Sequence, residues 1–204
     1  MAHSLAAVPD VMQPPPDREF GAGVYNEKVG MWIFLGSEVM FFTALIGSYI
    51  ILRVAHPDAW AAPGKMLNIP VTAVNTFLLI CSSVTMVKAF AAIQDGNQRL
   101  LLRWLIATVL IGASFVGVQI YEYTHLIEKG FIPSEGLYGS TFYTMTGFHG
   151  FHVTMGVLCM IYVTWKAFRR KYTAQDHRGV EVIGLYWHFV DLVWIILFTI
   201  VYLI

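Results

Sequence analysis

Charge is what this sequence has least of. Asp, Glu, Lys and Arg make up 13% of its 204 residues, where a soluble domain carries about a quarter. A chain so poor in polar side chains cannot face water on every side. Acids and bases also balance, 13 against 13, so no basic excess points to nucleic acid. Cysteine is scarce as well: Cys81 and Cys159 fall inside apolar runs, fit no metal-ligand spacing and read as small core hydrophobes. No Gly-rich phosphate loop, zinc motif or nucleophile-and-base combination occurs. A basic segment followed by a short apolar one is missing from the start, so no cleavable signal peptide is expected and the first spanning helix is expected to direct insertion.

What is there is apolar: 57% of the residues are hydrophobic and 15% aromatic, with a mean hydropathy of +0.62. Five apolar stretches, at about 30–53, 70–93, 100–127, 141–168 and 183–204, each approach the roughly 20 residues that a helix needs to cross the hydrocarbon layer. HPDAWAAPGK, QDGNQR, EKGFIPSEG and RRKYTAQDHRG punctuate them. Runs such as WLIATVLIGASFVGVQIYEY lack the alternation of a closed barrel. The pattern therefore predicts an all-α polytopic membrane protein, a bundle of five transmembrane helices without internal repeats. Residues 1–28, with a Pro triplet and no apolar core, are expected to form a flexible tail, and 29–204 the membrane domain.

Ten Lys and Arg side chains fall on the tail's side of the bundle and three on the other. The positive-inside rule then places the N-terminus in the cytoplasm and the C-terminus outside. Trp32, Trp60, Trp104, Trp165, Tyr186 and Trp187 lie near predicted span ends and are expected to serve mostly as interfacial anchors. Ala44 with Ser48, and Ala113 with Gly117, have the small-xxx-small spacing of close helix contacts.

Ionisable groups inside the spans carry the functional expectations. Glu38 lies about 12 Å into the first span, with Phe34, Leu35, Phe41 and Phe42 as its helical neighbours. Such surroundings call for a proton, a cation or a lipid head group beside the carboxylate. Two roles fit: a proton-exchanging or lipid-contacting acid, and a neutral carboxyl hydrogen-bonded to another helix. His149 and His152, three apart beside Gly147, Gly150 and Gly156, are expected to share a helix face, as buried hydrogen-bonding groups or as metal or haem ligands. His188 and Asp191, also three apart and expected a few residues inside the cytoplasmic boundary, are placed to pair, to relay a proton or to ligate a metal. Glu122 and His125, near the outer end of the third span, are expected to be solvated. His149, His152 and His188 are the deep candidates for a metal, yet the chain has no His cluster, so no cofactor is predicted in it.

Five motifs go further. GSEVMFFTALIGSY (36–49), VNTFLLICSS (74–83), YEYTH (121–125), YGSTFYTMTGFHGFHVTMG (138–156) and YWHFVDLVWIILFTIVYL (186–203) occur in order. Together, over nearly everything from Gly30 to Ile204, the chain resembles subunit III of the haem-copper respiratory oxidases. That resemblance implies a subunit of the bacterial inner membrane that holds no haem or copper. It would pack mainly on subunit I, alongside subunit II and small subunits, and bind phospholipid. Glu38 matches the family's membrane-buried, carbodiimide-reactive glutamate, and His149, His152, Glu181, His188 and Asp191 match motif positions. Reduction of oxygen and proton pumping would belong to subunits I and II, with this chain supporting proton uptake and the stability of the oxygen site. Many relatives have seven helices, two of them set apart by a lipid-filled cleft; the five expected here correspond to the last five. A cytochrome c oxidase is the expected complex and a quinol oxidase its alternative. A free-standing proton channel or transporter and a cytochrome-b-like haem protein are the rivals from other classes.

Overall fold

The computed structural model describes residues 19–20, 24–61, 67–134 and 136–203. Its helices are α1 (Asn26–Ala55), a single turn α2 (Asp58–Ala61), α3 (Ile69–Gln94), α4 (Gln98–Glu128), α5 (Gly136–Phe168) and α6 (Arg178–Phe198), which continues into a π-helical turn at Thr199–Leu203. All but α2 are long and apolar enough to cross a membrane, and each contains one of the five expected stretches apart from a terminal residue. Ahead of α1, β1 (Glu19–Phe20) pairs antiparallel with β2 (Val24–Tyr25). Most of the flexible tail expected over 1–28 lies outside the described residues.

Local signals end the helices. Past α3, Gly96 takes a φ of +71°, and the amides of Gly96 and Asn97 close back on the carbonyls of Ile93 and Ala92. Asn97 then caps α4, its Oδ1 accepting from the Leu100 amide at 3.1 Å. The same pair of closing bonds recurs past α4 at Gly130 and Phe131, and past α5 at Arg170 and Lys171. Arg170 is the exception, a residue with a Cβ held at φ +53°. Arg170→Gly should therefore raise stability by about 1 kcal/mol, read in lipid-free detergent as a melting temperature about 2–4 °C higher.

Within the bundle, α3, α4, α5 and α6 form a closed ring of neighbours, and α1 leans on α5 and α6 from outside. Lipid removes the hydrophobic drive between helices, so close packing must hold this ring. Trp187 of α6 is its peg and is fully buried. A Cβ on Gly112 of α4 would lie 2.7 Å from the indole's Cη2, and one on Gly156 of α5 3.0 Å from its Cε3. The indole Nε1 donates to Ser82 Oγ of α3 at 2.9 Å. One side chain thus touches the other three helices of the ring.

Several expectations fail here for one reason. Trp60, Tyr186 and Trp187, expected as anchors, are buried, whereas Trp32 and Trp165 are exposed. Trp60 stands edge-on between Tyr49 and Tyr138, 5.8 Å from each ring. Cys159, expected in the core, is exposed, and the two small-xxx-small pairs, whose spacing predicts association without naming a partner, also face outward from the bundle. Both faces of a spanning helix are apolar, and composition alone does not distinguish the face that meets protein from the face that meets lipid.

Candidate functional site

Glu38 sits near the middle of α1 and His152 is the central residue of α5. The two helices bring them together. Imidazole Nε2 lies 3.0 Å from Glu38 Oε2, with the side chains only 11% and 16% exposed. This is ion-pair distance, although the ring N–H direction does not align as a hydrogen bond, which leaves Oε2 without one. Aromatic rings enclose the pair: Phe42 is edge-on to the imidazole at 5.2 Å, Phe151 at 5.7 Å, and Phe41 lies 6.4 Å away. Tyr186 of α6 donates to the His152 carbonyl at 2.9 Å and so fixes the backbone beneath the ring.

The second ring nitrogen fixes the proton arithmetic. His152 Nδ1 stands 2.7 Å from the Phe148 carbonyl, which only accepts, so Nδ1 carries a hydrogen. For the pair to be neutral, one further proton must then lie between Nε2 and the carboxyl. Placed on Glu38 it gives two neutral groups, and placed on His152 it gives an ion pair. Either way the pair is neutral overall, which is what hydrocarbon surroundings demand. The partner that the sequence called for beside Glu38 therefore comes from α5.

A chemical probe follows from that geometry. An apolar carbodiimide partitions into the bilayer and needs a carboxyl with a proton to hand, which His152 supplies. Glu38 should accordingly be labelled in intact membranes, and Glu38→Gln should abolish the label at this chain while leaving the chain assembled. Peptide mapping by mass spectrometry reads the result, and absence of label on native Glu38 would contradict a shared proton.

The other expected site residues go elsewhere. His149 and His152 do not share a contact face: three residues turn a helix by 300°, so the rings part by about 60°. His149 is fully buried, stacked on Trp194 at 4.7 Å and edge-on to Phe115 at 6.1 Å, with neither ring nitrogen hydrogen-bonded. His188 and Asp191 do not pair either. His188 Nδ1 meets Ser83 Oγ of α3 at 2.5 Å, while Asp191, 4% exposed, has Ser83 as a polar neighbour but no aligned hydrogen bond. Asp191 also lies midway along the span Arg178–Leu203, deeper than expected, because α6 begins five residues before the expected start.

Glu181 belongs to the helix ends. It takes the Tyr25 hydroxyl at 2.6 Å and the Lys28 ammonium, tying the start of α1 to the start of α6. Burial, and then the bond to Glu181, push the Tyr25 phenol well above its ordinary value, so it stays a donor at neutral pH. Of the outer pair, His125 is exposed as expected. Glu122 instead turns inward, accepting from Thr72 Oγ1 at 2.9 Å beside the Tyr202 hydroxyl.

Cross-helix polar contacts were the part that sequence reasoning missed. Trp187 and its neighbour His188 meet the adjacent Ser82 and Ser83, while Trp194 Nε1, two turns further along α6, meets Thr76 Oγ1, about two turns earlier in α3, as antiparallel helices require. Gln119 of α4 donates to the Thr146 carbonyl at 2.9 Å, in space that only Gly150 leaves open, since a Cβ there would fall 2.7 Å from the amide. Among the described residues, no three His, Cys, Asp or Glu side chains gather where one metal ion would bind them.

Comparison with known proteins fits this arrangement. Residues 22–204 match the family described as cytochrome c oxidase subunit III. The chain is similar to the cytochrome c oxidase subunit 3 of Thermostichus vulcanus, 39% identical over 176 residues and covering 86% of each chain. It is 42% identical over 176 residues to that of a Synechocystis species, covering 85% of this chain and 74% of the relative. It is also similar to the cytochrome bo(3) ubiquinol oxidase subunit 3 of Pseudomonas aeruginosa, 36% identical over 179 residues, 87% of this chain and 85% of the other.

Proposed function

The chain belongs to the cytochrome c oxidase subunit III family, and from that premise we propose that it is the redox-silent subunit III of a bacterial haem-copper terminal oxidase, packed on subunit I. Haem and copper would reside in subunits I and II. The observation that carries the proposal is the Glu38–His152 pair, held at mid-span where α1 crosses α5. Such a pair is neutral when one proton lies between its two groups, which suits a chain that assists proton uptake by a neighbouring polypeptide. The outer side of α1 is richly apolar, with Ile33, Met40 and Val54 each more than 70% exposed, and is available to subunit I or to phospholipid.

In this proposal the N-terminus faces the cytoplasm of a bacterium, the side to which the Lys and Arg balance assigns it. A tag on this chain tests the reading. Purification in mild detergent should bring down polypeptides bearing haem and copper, with oxygen-reducing activity. A chain that purifies alone and carries protons or solute by itself, or that shows a haem spectrum of its own, would overturn it. The similarity to the Pseudomonas aeruginosa relative keeps a quinol oxidase as second reading. Oxidation of reduced cytochrome c or of quinol by the purified complex separates the two.

A further inference from the structure

At one end of the bundle, on the surface between α4 and α5, two adjoining cavities of about 370 and 350 Å³ share Leu102, Ile106 and Phe168 and so form one groove. Its mouth holds three guanidinium groups, those of Arg99, Arg103 and Arg170, with Gln98 beside them. The remainder is apolar, lined by Leu110, Ile161 and Trp165. From Arg99 to Leu110 the groove follows α4 for about 16 Å, close to the roughly 15 Å of hydrocarbon in one leaflet. Ile161 and Phe168 lie about half a turn round α5 from His152, so this groove is separate from the Glu38–His152 pair.

We propose that the groove binds one anionic phospholipid, its phosphate on Arg99, Arg103 and Arg170 and an acyl chain along Leu102, Ile106 and Leu110. The charge pattern demands an anion. All three arginines are exposed, and none forms an ion pair among the described residues, whose ion pairs use other side chains. Arg99 stands in the first turn of α4, which has no acid to balance it, at the helix end where the backbone dipole is already positive. Three like charges gathered there repel one another unless an anion joins them. Gln98 beside them is held in place, its Nε2 donating to the Tyr172 carbonyl. A zwitterionic choline lipid would instead bring a quaternary ammonium among the guanidinium groups.

The proposal deepens the lipid-binding part of the proposed function and rests on the bundle's place in a bilayer. The tagged complex, delipidated in detergent, is titrated with phosphatidylglycerol, phosphatidylcholine and inorganic phosphate and followed by native mass spectrometry. The native complex should take one phosphatidylglycerol at least about tenfold more tightly than phosphatidylcholine, a difference equal to about 1.4 kcal/mol. The combined Arg99→Gln, Arg103→Gln and Arg170→Gln variant should lose that preference, and Ile106→Trp, which fills the groove without touching the charges, should lose the bound lipid. Equal uptake of the two lipids, phosphatidylglycerol retained by Ile106→Trp, phosphate binding as tightly as lipid, or a cross-link from the groove to an acidic segment of another subunit would each overturn the proposal. Failure to bring down other subunits would count against the oxidase reading alone, since the titration can be run on the purified chain.

Discussion

Trp187→Ala should loosen the bundle more than any other single truncation. In water-soluble cores such a change costs about 3–5 kcal/mol. Part of that is transfer from water, which disappears when the unfolded helices remain in lipid. The cavity and the lost contacts remain, on the order of 2–4 kcal/mol. Those contacts are the floors of two pockets that only glycine permits, at Gly112 and Gly156, and the bond to Ser82. In detergent the melting temperature of the chain should fall by about 5–10 °C. Specificity is checked by the reverse change. Gly112→Ala pushes a methyl into the indole, so it should destabilise the native chain and cost much less when combined with Trp187→Phe. A melting curve unmoved by Trp187→Ala would show that the four helices are held by something else.

That peg also marks what could be read from the sequence. The spans were legible because length and hydropathy fix them, and their ends because Pro70, Gly96, Asn97 and Gly130 stop or start helices whatever surrounds them. The facing of each helix was not. In water a buried stripe stands out against a polar face, but in a bilayer Gly112, turned inward, and Gly117, turned outward, are chemically alike. Trp187 and Trp32 suffer the same ambiguity, and only the first is internal. The site divides along this line. Glu38 stood out alone as a carboxyl among phenylalanines, and its need for a partner followed from solvation. That the partner is His152, and that His149 three residues earlier points into the core, depends on how α1 and α5 cross. His188 and Asp191 misled because spacing along one helix says nothing of Ser83 on another.

Stripping this subunit from the assembled oxidase should leave the first turnovers of oxygen reduction nearly intact and then shorten the active lifetime. The reason lies in what the proposed role gives the chain: packing surface, and a buried acid–imidazole pair near a neighbour's proton supply. Neither is needed for electrons to reach oxygen once, but both bear on how long a membrane complex keeps its shape and its proton supply. Loss of a supporting wall lowers the barrier to inactivation, and a lifetime shorter by on the order of tenfold requires only about 1.4 kcal/mol of that barrier. Oxygen uptake recorded from the first seconds until activity ceases separates the two quantities. Trp187→Ala gives an intermediate case. Complexes carrying it should start at the native rate and decay faster, in step with the fraction of the subunit that has come away. Activity missing from the first turnover, with subunits I and II still assembled, would mean that this chain takes part in the chemistry itself.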